Sequence, residues 1–150
     1  MQLRAARPDE AEALSALALR SKAHWGYDEA FLAACRDELA LTPEQVTAAR
    51  TTVAERDGRV LGFATLEGGP PRGELGMLFV EPDAIGTGVG RLLFEHAVAA
   101  ARGLGFTVLE IESDPHAEPF YLAMGAVRTG SVPSGSRAGR TLPLLEVAVA

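Results

Sequence analysis

Residues 74–102 read ELGMLFVEPDAIGTGVGRLLFEHAVAAAR, and this stretch predicts a strand, a glycine-rich turn and a helix in direct succession. Residues 75–80 carry no charge, so both faces of the strand can be buried and the strand is predicted to be internal to a sheet. Alternation assigns its two faces to Leu75, Met77 and Phe79 and to Gly76, Leu78 and Val80. After the turn, apolar positions recur at the spacing of one helical stripe. The predicted stripe consists of Val89, Leu92, Leu93, His96, Ala97, Ala100 and Leu104.

Three glycines, Gly86, Gly88 and Gly90, lie between the strand and the helix. The first backbone N–H groups of a helix have no partner within it, and the helix dipole makes that end partly positive. Glycine leaves these groups accessible and adopts positive φ at little steric cost. The turn is therefore a predicted binding site for a phosphate group, although a tight turn without a ligand would use the same glycines.

Two common nucleotide motifs do not fit this turn. The phosphate loop that ends in Gly-Lys-Ser/Thr is excluded because Gly90 is followed by Arg91 and Leu92. The dinucleotide fingerprint G-x-G-x-x-G fits poorly because Arg91 takes the place of the third glycine.

The stretch resembles the acetyl-coenzyme A motif of the GNAT superfamily of N-acetyltransferases. In that motif a strand ends in Val-x-Pro, and Arg/Gln-x-x-Gly-x-Gly/Ala then opens a helix. Val80, Pro82, Gly88 and Gly90 match in register, whereas Ile85 takes the place of the Arg or Gln, so we expect weaker cofactor binding. The resemblance implies that acetyl-CoA, the acyl donor, contacts Phe79, Val80, Gly86, Thr87, Gly88, Val89, Gly90 and Arg91.

A second segment, AEPFYLAMG at residues 117–125, resembles the family's Ala-x-x-Phe-Tyr-x-x-x-Gly segment. The matching residues are Ala117, Phe120, Tyr121 and Gly125. Near the position of an Asn that is common in the family stand Asp114 and His116. The resemblance implies further cofactor contacts from His116 and Phe120. The two motifs occur in the family's order and are separated by a predicted strand.

The predicted chemistry is attack of an amine on a thioester. A phenol is protonated at neutral pH and can protonate a thiolate, so Tyr121 is the predicted general acid, with a core-packed tyrosine as the alternative. In related enzymes, carboxylates at the start of the strand that precedes the glycine turn relay the amine's proton. Glu74 is therefore the first candidate base, and Glu112, on the neighbouring predicted strand, is the second. Either carboxylate would need a raised pKa. An N–H near Phe79 or Val80 is expected to face the thioester oxygen.

The acceptor is less well defined. The loop SKAHWGY at residues 21–27 brings Trp25 and Tyr27 together, either as a wall of the acceptor pocket or as packing between two helices. Acidic residues Glu112 and Asp114 favour a cationic amine. In the last loop, two arginines would instead suit a carboxylate or phosphate, and these are Arg137 and Arg140. Small metabolites, antibiotics, peptide N-termini and lysines all remain open as acceptors.

The order of elements predicts a mixed α/β fold in one domain over residues 1–150. Predicted strands cover residues 2–6, 51–56, 60–67, 75–80, 106–112, 127–132 and 141–149. Besides the helix after the glycine turn, predicted helices cover 8–21, 28–41 and 117–124, with a short helix from 42. Residues 68–73 are a predicted loop. Strand 106–112 is expected to lie parallel to strand 75–80. The family likewise has a mostly antiparallel sheet with one splayed parallel pair and flanking helices.

The amino-acid composition of the chain argues against several classes of function. With 14 basic and 20 acidic residues the net charge is −6, which argues against nucleic-acid binding. Cys35 is the only cysteine, and the three histidines lack metal-ligand spacing, so neither a disulfide within the chain nor a metal is expected. No apolar run reaches the length of a membrane span, so the expected location is the cytoplasm, and dimerisation through the last strands is left open.

These features together predict an acetyl-CoA-dependent N-acetyltransferase that acts by direct attack in a ternary complex. The alternative from another class is a non-catalytic acyl-CoA-binding sensor or interaction module of the same fold. A dinucleotide-binding oxidoreductase is a third interpretation, and the glycine spacing disfavours it.

Overall fold

The structure, a computed structural model, describes residues 1–135 and 137–149. Its helices are α1 (Ala11–Ala23), α2 (Glu29–Leu39), α3 (Pro43–Ala48), α4 (Val89–Leu104) and α5 (Glu118–Ala123). Its strands are β1 (Gln2–Ala5), β2 (Thr52–Arg56), β3 (Arg59–Ala64), β4 (Arg72–Glu74), β5 (Leu78–Val80), β6 (Val108–Glu112), β7 (Val127–Pro133) and β8 (Thr141–Ala148). Ser136, in the predicted loop of the last hairpin, lies outside the described residues.

The strands form two four-stranded sheets with the orders β1-β2-β3-β5 and β4-β6-β8-β7. All neighbouring pairs are antiparallel except β4 and β6, which are parallel. This mixed α/β arrangement with one parallel pair is the predicted fold class. The predicted parallel partner of β6 was strand 75–80, whereas the observed partner is β4, with Glu74 opposite Glu110.

The prediction of one strand over residues 75–80, preceded by a loop over 68–73, was wrong in its boundaries. The chain forms β4 at 72–74, leaves strand geometry at 75–77 and resumes as β5 at 78–80 in the other sheet. A Cβ on Gly76 would overlap a carboxylate oxygen of Glu67, so that carboxylate fills the space beside the break. The hydroxyl of Thr65 accepts the N–H of Met77 at 2.9 Å and donates to Glu67. Two side chains of the loop after β3 therefore occupy the break.

Capping residues and turn residues set several other helix and strand boundaries. The carboxylate of Asp28 accepts the N–H of Phe31 at 2.8 Å and begins α2, and Thr42 caps α3. Asp57 and Gly58 both have positive φ, at 53° and 79°, which gives β2 and β3 a tight hairpin turn. Helix α1 continues two residues beyond its predicted end, and α2 stops at Leu39 rather than at residue 41.

The core consists of two apolar clusters on opposite faces of the broken strand. Met77 and Phe79 pack with α1 and α2, whereas Leu78 and Val80 pack with α4, as the predicted alternation requires. The predicted stripe of α4 was partly wrong, because Leu92 and Leu104 are 43% and 50% exposed and His96 is also exposed. The buried residues of α4 are Val89, Leu93, Phe94, Ala97 and Ala101. The helix is rotated toward Phe94, whose ring packs against α5.

We expect an acid-sensitive contribution to stability from Glu10. The guanidinium of Arg4 donates to Glu10 at 2.9 Å, and these bonds lower the pKa of Glu10 from 4.5 to about 2. A lowered pKa stabilises the fold above pH 4.5, and this contribution is lost as the pH falls toward 2. Glu10→Gln should therefore reduce the free energy of unfolding by about 1 kcal/mol at pH 7 and by much less near pH 2, as measured by urea denaturation.

Asp9→Asn is the control, because the Asp9 carboxylate is 79% exposed beside Arg7. It should change the free energy of unfolding little at either pH. An equal effect of Glu10→Gln at both pH values would contradict the assignment.

Candidate active site

A cavity of about 520 Å³ opens where β5 and β6 separate. The parallel pairing of β4 with β6 continues to Leu75, whose N–H donates to the carbonyl of Glu110 at 2.9 Å. Beyond that bond the chain crosses to β3, and β6 keeps only β8 as its hydrogen-bonded neighbour. The gap between the two strands is the floor of the cavity. Its walls come from the end of α1, the turn before α4, and α5 with the segment that precedes it.

The strand register shows which amides of β5 face the gap. Thr65 N–H donates to Met77 O and Glu81 N–H donates to Leu61 O, so residues 77 and 81 direct these backbone groups toward β3. Phe79 lies opposite Phe63, midway between residues 77 and 81. Because the direction of the backbone groups alternates along a strand, those of Phe79 also point toward β3. The N–H groups of Leu78 and Val80 therefore point toward the gap. Of the two residues predicted to present an N–H, the register places Val80 on the open side and Phe79 on the paired side.

The turn before α4 has the geometry that an anion requires. Gly86 and Gly88 have φ values of 83° and 93°, and Gly88 is the N-cap residue of α4. A Cβ at either position would meet no heavy atom within 4 Å, so no side chain blocks these amides. Both glycines line the cavity, as does Gly90, which lies against the ring of Phe120. The first turn of a 16-residue helix is thus directed at open space.

Side chains around this turn differ in their placement. Arg91 and Ile85 line the cavity, and Arg91 also lies 3.4 Å from Glu95 one helical turn away. Thr87 and Val89 do not line it, because the hydroxyl of Thr87 donates to the carbonyl of Ala84 and Val89 is buried in the core. The side chains of these two predicted cofactor residues therefore lie outside the cavity lining.

Tyr121 is buried on α5, with 6% of its surface exposed, and lines the cavity. Its ring packs against Phe94 and Phe120, with ring centroids 6.1 and 5.2 Å away. Burial, and to a lesser degree the negative charge of Asp114, raises the pKa of Tyr121 above its ordinary value. The phenol is therefore protonated at neutral pH. Phe120 and His116 also line the cavity.

The two candidate bases occupy different positions. Glu112, at the end of β6, lines the cavity, whereas Glu74 lies outside its lining. Burial raises the pKa of Glu74, and the negative charges of Glu112, Glu67 and Glu110 raise it further. Since Glu112 acts on the pKa of Glu74, the two carboxylates are electrostatically coupled.

Of the two predicted acceptor residues, Trp25 lies at the cavity surface and Tyr27 lies behind it. Trp25 lines the cavity and stacks on the imidazole of His116, with centroids 5.2 Å apart and the planes 5° from parallel. Tyr27 lies behind this pair, outside the lining, where its hydroxyl donates to Asp114 at 2.8 Å and accepts from Arg140 at 2.7 Å. Burial and the Asp114 contact raise the pKa of Tyr27 to about 12.

Asp114 forms ion pairs with two cationic side chains that are distant in sequence. The ammonium of Lys22 lies 3.1 Å from its carboxylate, Arg140 lies 3.6 Å away, and His116 N–H donates to it at 2.8 Å. Burial alone would raise the pKa of Asp114, but His116, Lys22 and Tyr27 outweigh burial and lower it. Lys22 was not predicted from the sequence, because a lone lysine near the end of a helix carries no motif.

The remaining arginine of the last loop is also engaged. The guanidinium of Arg137 lies 3.7 Å from Asp28 and 4.7 Å from the centre of the Phe31 ring.

Within the described part of the chain, no group of three or more His, Cys, Asp or Glu residues could hold a metal ion. The helices of residues 1–135 and 137–149 include none with the length and apolar character of a membrane span.

Comparison with known proteins gives consistent matches. The sequence model of the acetyltransferase (GNAT) family matches residues 13–126. The peptidyl-lysine N-acetyltransferase YjaB of Escherichia coli (strain K12) is 38% identical over 96 residues, which is 64% of this chain and 60% of that protein. The Salmonella typhimurium protein of the same name is 38% identical over 78 residues, 52% of this chain and 49% of that protein. The chain thus spans less than two thirds of the length of these relatives.

Solved structures show the same fold. A PaiA N-acetyltransferase from Thermoplasma acidophilum in complex with coenzyme A superimposes with a TM-score of 0.79 at 17% identity, covering 98% of both chains. A GCN5-related N-acetyltransferase from Rhodopseudomonas palustris gives a TM-score of 0.78 at 24% identity, covering 98% of this chain and 94% of the other.

We expect Asp114→Asn to destabilise the protein strongly. The substitution leaves the charges of Lys22 and Arg140 without their partner in a site where all three side chains are at most 16% exposed. The loss should be about 3 kcal/mol in the free energy of unfolding, measured by chemical denaturation.

Asp83→Asn makes the same chemical change at the exposed ion pair with Arg59 and should have a much smaller effect. Equal losses in the two variants would show that the ion pairs of Asp114 with Lys22 and Arg140 add no more stability than an exposed pair.

Proposed function

The chain belongs to the acetyltransferase (GNAT) family, and we propose that it is an acetyl-CoA-dependent N-acetyltransferase acting directly on a primary amine. The observation that carries this proposal is the single cavity in which an open helix N-terminus, unpaired strand amides and a protonated phenol meet. Acyl transfer from a thioester uses these three elements to hold the donor, stabilise the oxyanion and protonate the leaving group.

The donor would lie along the floor of the cavity. The amides of residues 86–90 and the side chain of Arg91 would hold the pyrophosphate at the N-terminus of α4. The pantetheine arm would pair with one of the two open amides, Leu78 or Val80, as an added strand does at a sheet edge, and would leave the other for the thioester oxygen. Phe120 supplies apolar contact. Ile85 presents no charge to the phosphates, so backbone groups would contribute most of the binding.

The reaction forms a C–N bond and breaks a C–S bond. The amine nitrogen attacks the thioester carbon, and an amide N–H of Leu78 or Val80 stabilises the negative charge that develops on the oxygen. The collapsing intermediate expels the thiolate, which takes the proton of Tyr121. Glu112 is the better-placed base because it lines the cavity. Glu74, whose pKa is raised by burial and by neighbouring carboxylates, would take the proton onward through water.

Charge at the acceptor end favours a cationic amine. Lys22 and Arg140 are bound to Asp114, and Arg137 is bound to Asp28, so none of the three is a free clamp for a carboxylate. Glu112 faces the cavity and forms no ion pair with the described residues. The name of the Escherichia coli relative, a peptidyl-lysine N-acetyltransferase, makes a lysine side chain the first acceptor to test.

Replacement of Tyr121 tests the enzyme. Tyr121→Phe removes the proton donor and keeps the ring that packs against Phe94, so kcat should fall at least about tenfold while the Kd for coenzyme A stays within about threefold. Thiol release from acetyl-CoA should be measured with a lysine peptide, a polyamine, an aminoglycoside and a free amino acid. Unchanged kcat in the variant would exclude Tyr121 as the acid. Cofactor binding without turnover on any amine would favour the non-catalytic sensor.

The glycine turn can be tested with a matched pair of substitutions. Gly88→Ala and Gly58→Ala each place a methyl group on a residue with positive φ and no heavy atom within 4 Å. Each should cost about 1–2 kcal/mol of stability through backbone strain. Only Gly88→Ala should weaken coenzyme A binding, by about tenfold in calorimetry, because its methyl group lies where the phosphates would approach. Equal coenzyme A affinity in the two variants would place the pyrophosphate elsewhere.

A further inference from the structure

A second cavity of about 480 Å³ lies between β1, α3 and α4, and no residue lines both cavities. Its body is apolar and includes Leu3, Val46, Leu66 and Leu93. A cavity of this size is within the range of small-molecule sites. We propose that it binds a small carboxylic acid with an apolar body, a ligand that the proposed acetyl transfer does not use.

The charges of the lining support an anionic ligand. Arg4, Arg50 and His96 line this cavity together with no Asp or Glu, although the chain as a whole has a net charge of −6. Arg4 is already paired with Glu10 and Glu55, at 2.9 and 2.7 Å. The guanidinium of Arg50 instead donates to the carbonyls of residues 66 and 68, at 3.1 and 3.0 Å. Carbonyl partners do not neutralise its charge, and no carboxylate of the described residues pairs with it.

The neighbouring residue, Thr51, supplies a second polar group. It is 4% exposed, and its hydroxyl oxygen has no hydrogen-bond partner among the described residues. An unpaired buried hydroxyl is unfavourable, so such groups are rare unless something else satisfies them. Thr51 lines the cavity next to Arg50 in sequence. A carboxylate at this end would accept from the guanidinium of Arg50, and from the hydroxyl of Thr51 once that side chain turns toward the cavity, while its apolar body lies against the rest of the lining.

The test uses octanoate with two analogues that keep the chain and change the head group, octanol and octylamine. Isothermal titration calorimetry of the full chain should show saturable one-site binding of octanoate, at least about tenfold tighter than either analogue. Octanol binding as tightly as octanoate would overturn the charge argument. Absence of saturable octanoate binding would overturn the proposal.

A matched pair of substitutions on α4 locates the site. Ala100 lines the second cavity, and the adjacent Ala99 is exposed and outside its lining. Ala100→Leu fills part of the cavity and should weaken octanoate binding at least about tenfold, whereas Ala99→Leu should leave it unchanged. Equal binding by both variants would place octanoate outside this cavity and overturn the proposal.

Thr51→Val tests the hydroxyl with little change of shape. If the hydroxyl donates to the ligand, the Kd for octanoate should rise about threefold to tenfold. If the hydroxyl is only a buried structural group, the variant should be more stable in thermal unfolding and bind octanoate as the wild type does, which would overturn its assigned role. None of these measurements depends on acetyl transfer, so they fail or succeed independently of the proposed function.

Discussion

The break in the central strand at residues 75–77 is the constraint from which the candidate site follows. One segment of chain serves two sheets, because the carboxylate of Glu67 fills the space beside Gly76 and Thr65 takes the N–H of Met77. A strand that changes sheets must leave one side without a neighbour. The amides of Leu78 and Val80 face that side, and the N-terminus of α4 lies at the same opening. Backbone groups are available to a ligand here because the strands are incompletely paired at this point of the sheet.

Charge neutralisation at Asp114 organises the other end of the cavity. Its carboxylate joins the end of α1, the segment between β6 and α5 and the loop between β7 and β8, through Lys22, His116 and Arg140. The two cations come from segments far from Asp114 in sequence, which explains why the sequence offered contradictory signals about the acceptor. Once the cations are assigned to Asp114, the carboxylate that still faces the cavity without an ion pair among the described residues is Glu112.

Features encoded within one segment could be predicted from the sequence. The glycine turn, the caps of α2 and α3 and the position of Tyr121 on a helix depend on neighbours a few residues away. The strand break could not be predicted, because the groups that fill it belong to the loop after β3, about ten residues earlier in the chain. Rotation of α4 toward Phe94 depends on α5 in the same way. The sequence also did not indicate that Glu74 lies outside the cavity lining, since its position depends on where the chain leaves β4.

The stack of Trp25 on His116 gives the molecule a built-in optical probe. Trp25 is the only tryptophan in the chain, so all indole emission originates at the wall of the first cavity. A ligand that separates the two rings would change the polarity around the indole and shift its spectrum. A molecule held between β1, α3 and α4 touches neither ring and would leave the spectrum unchanged. Unlabelled protein can therefore report which of its two cavities a compound has entered.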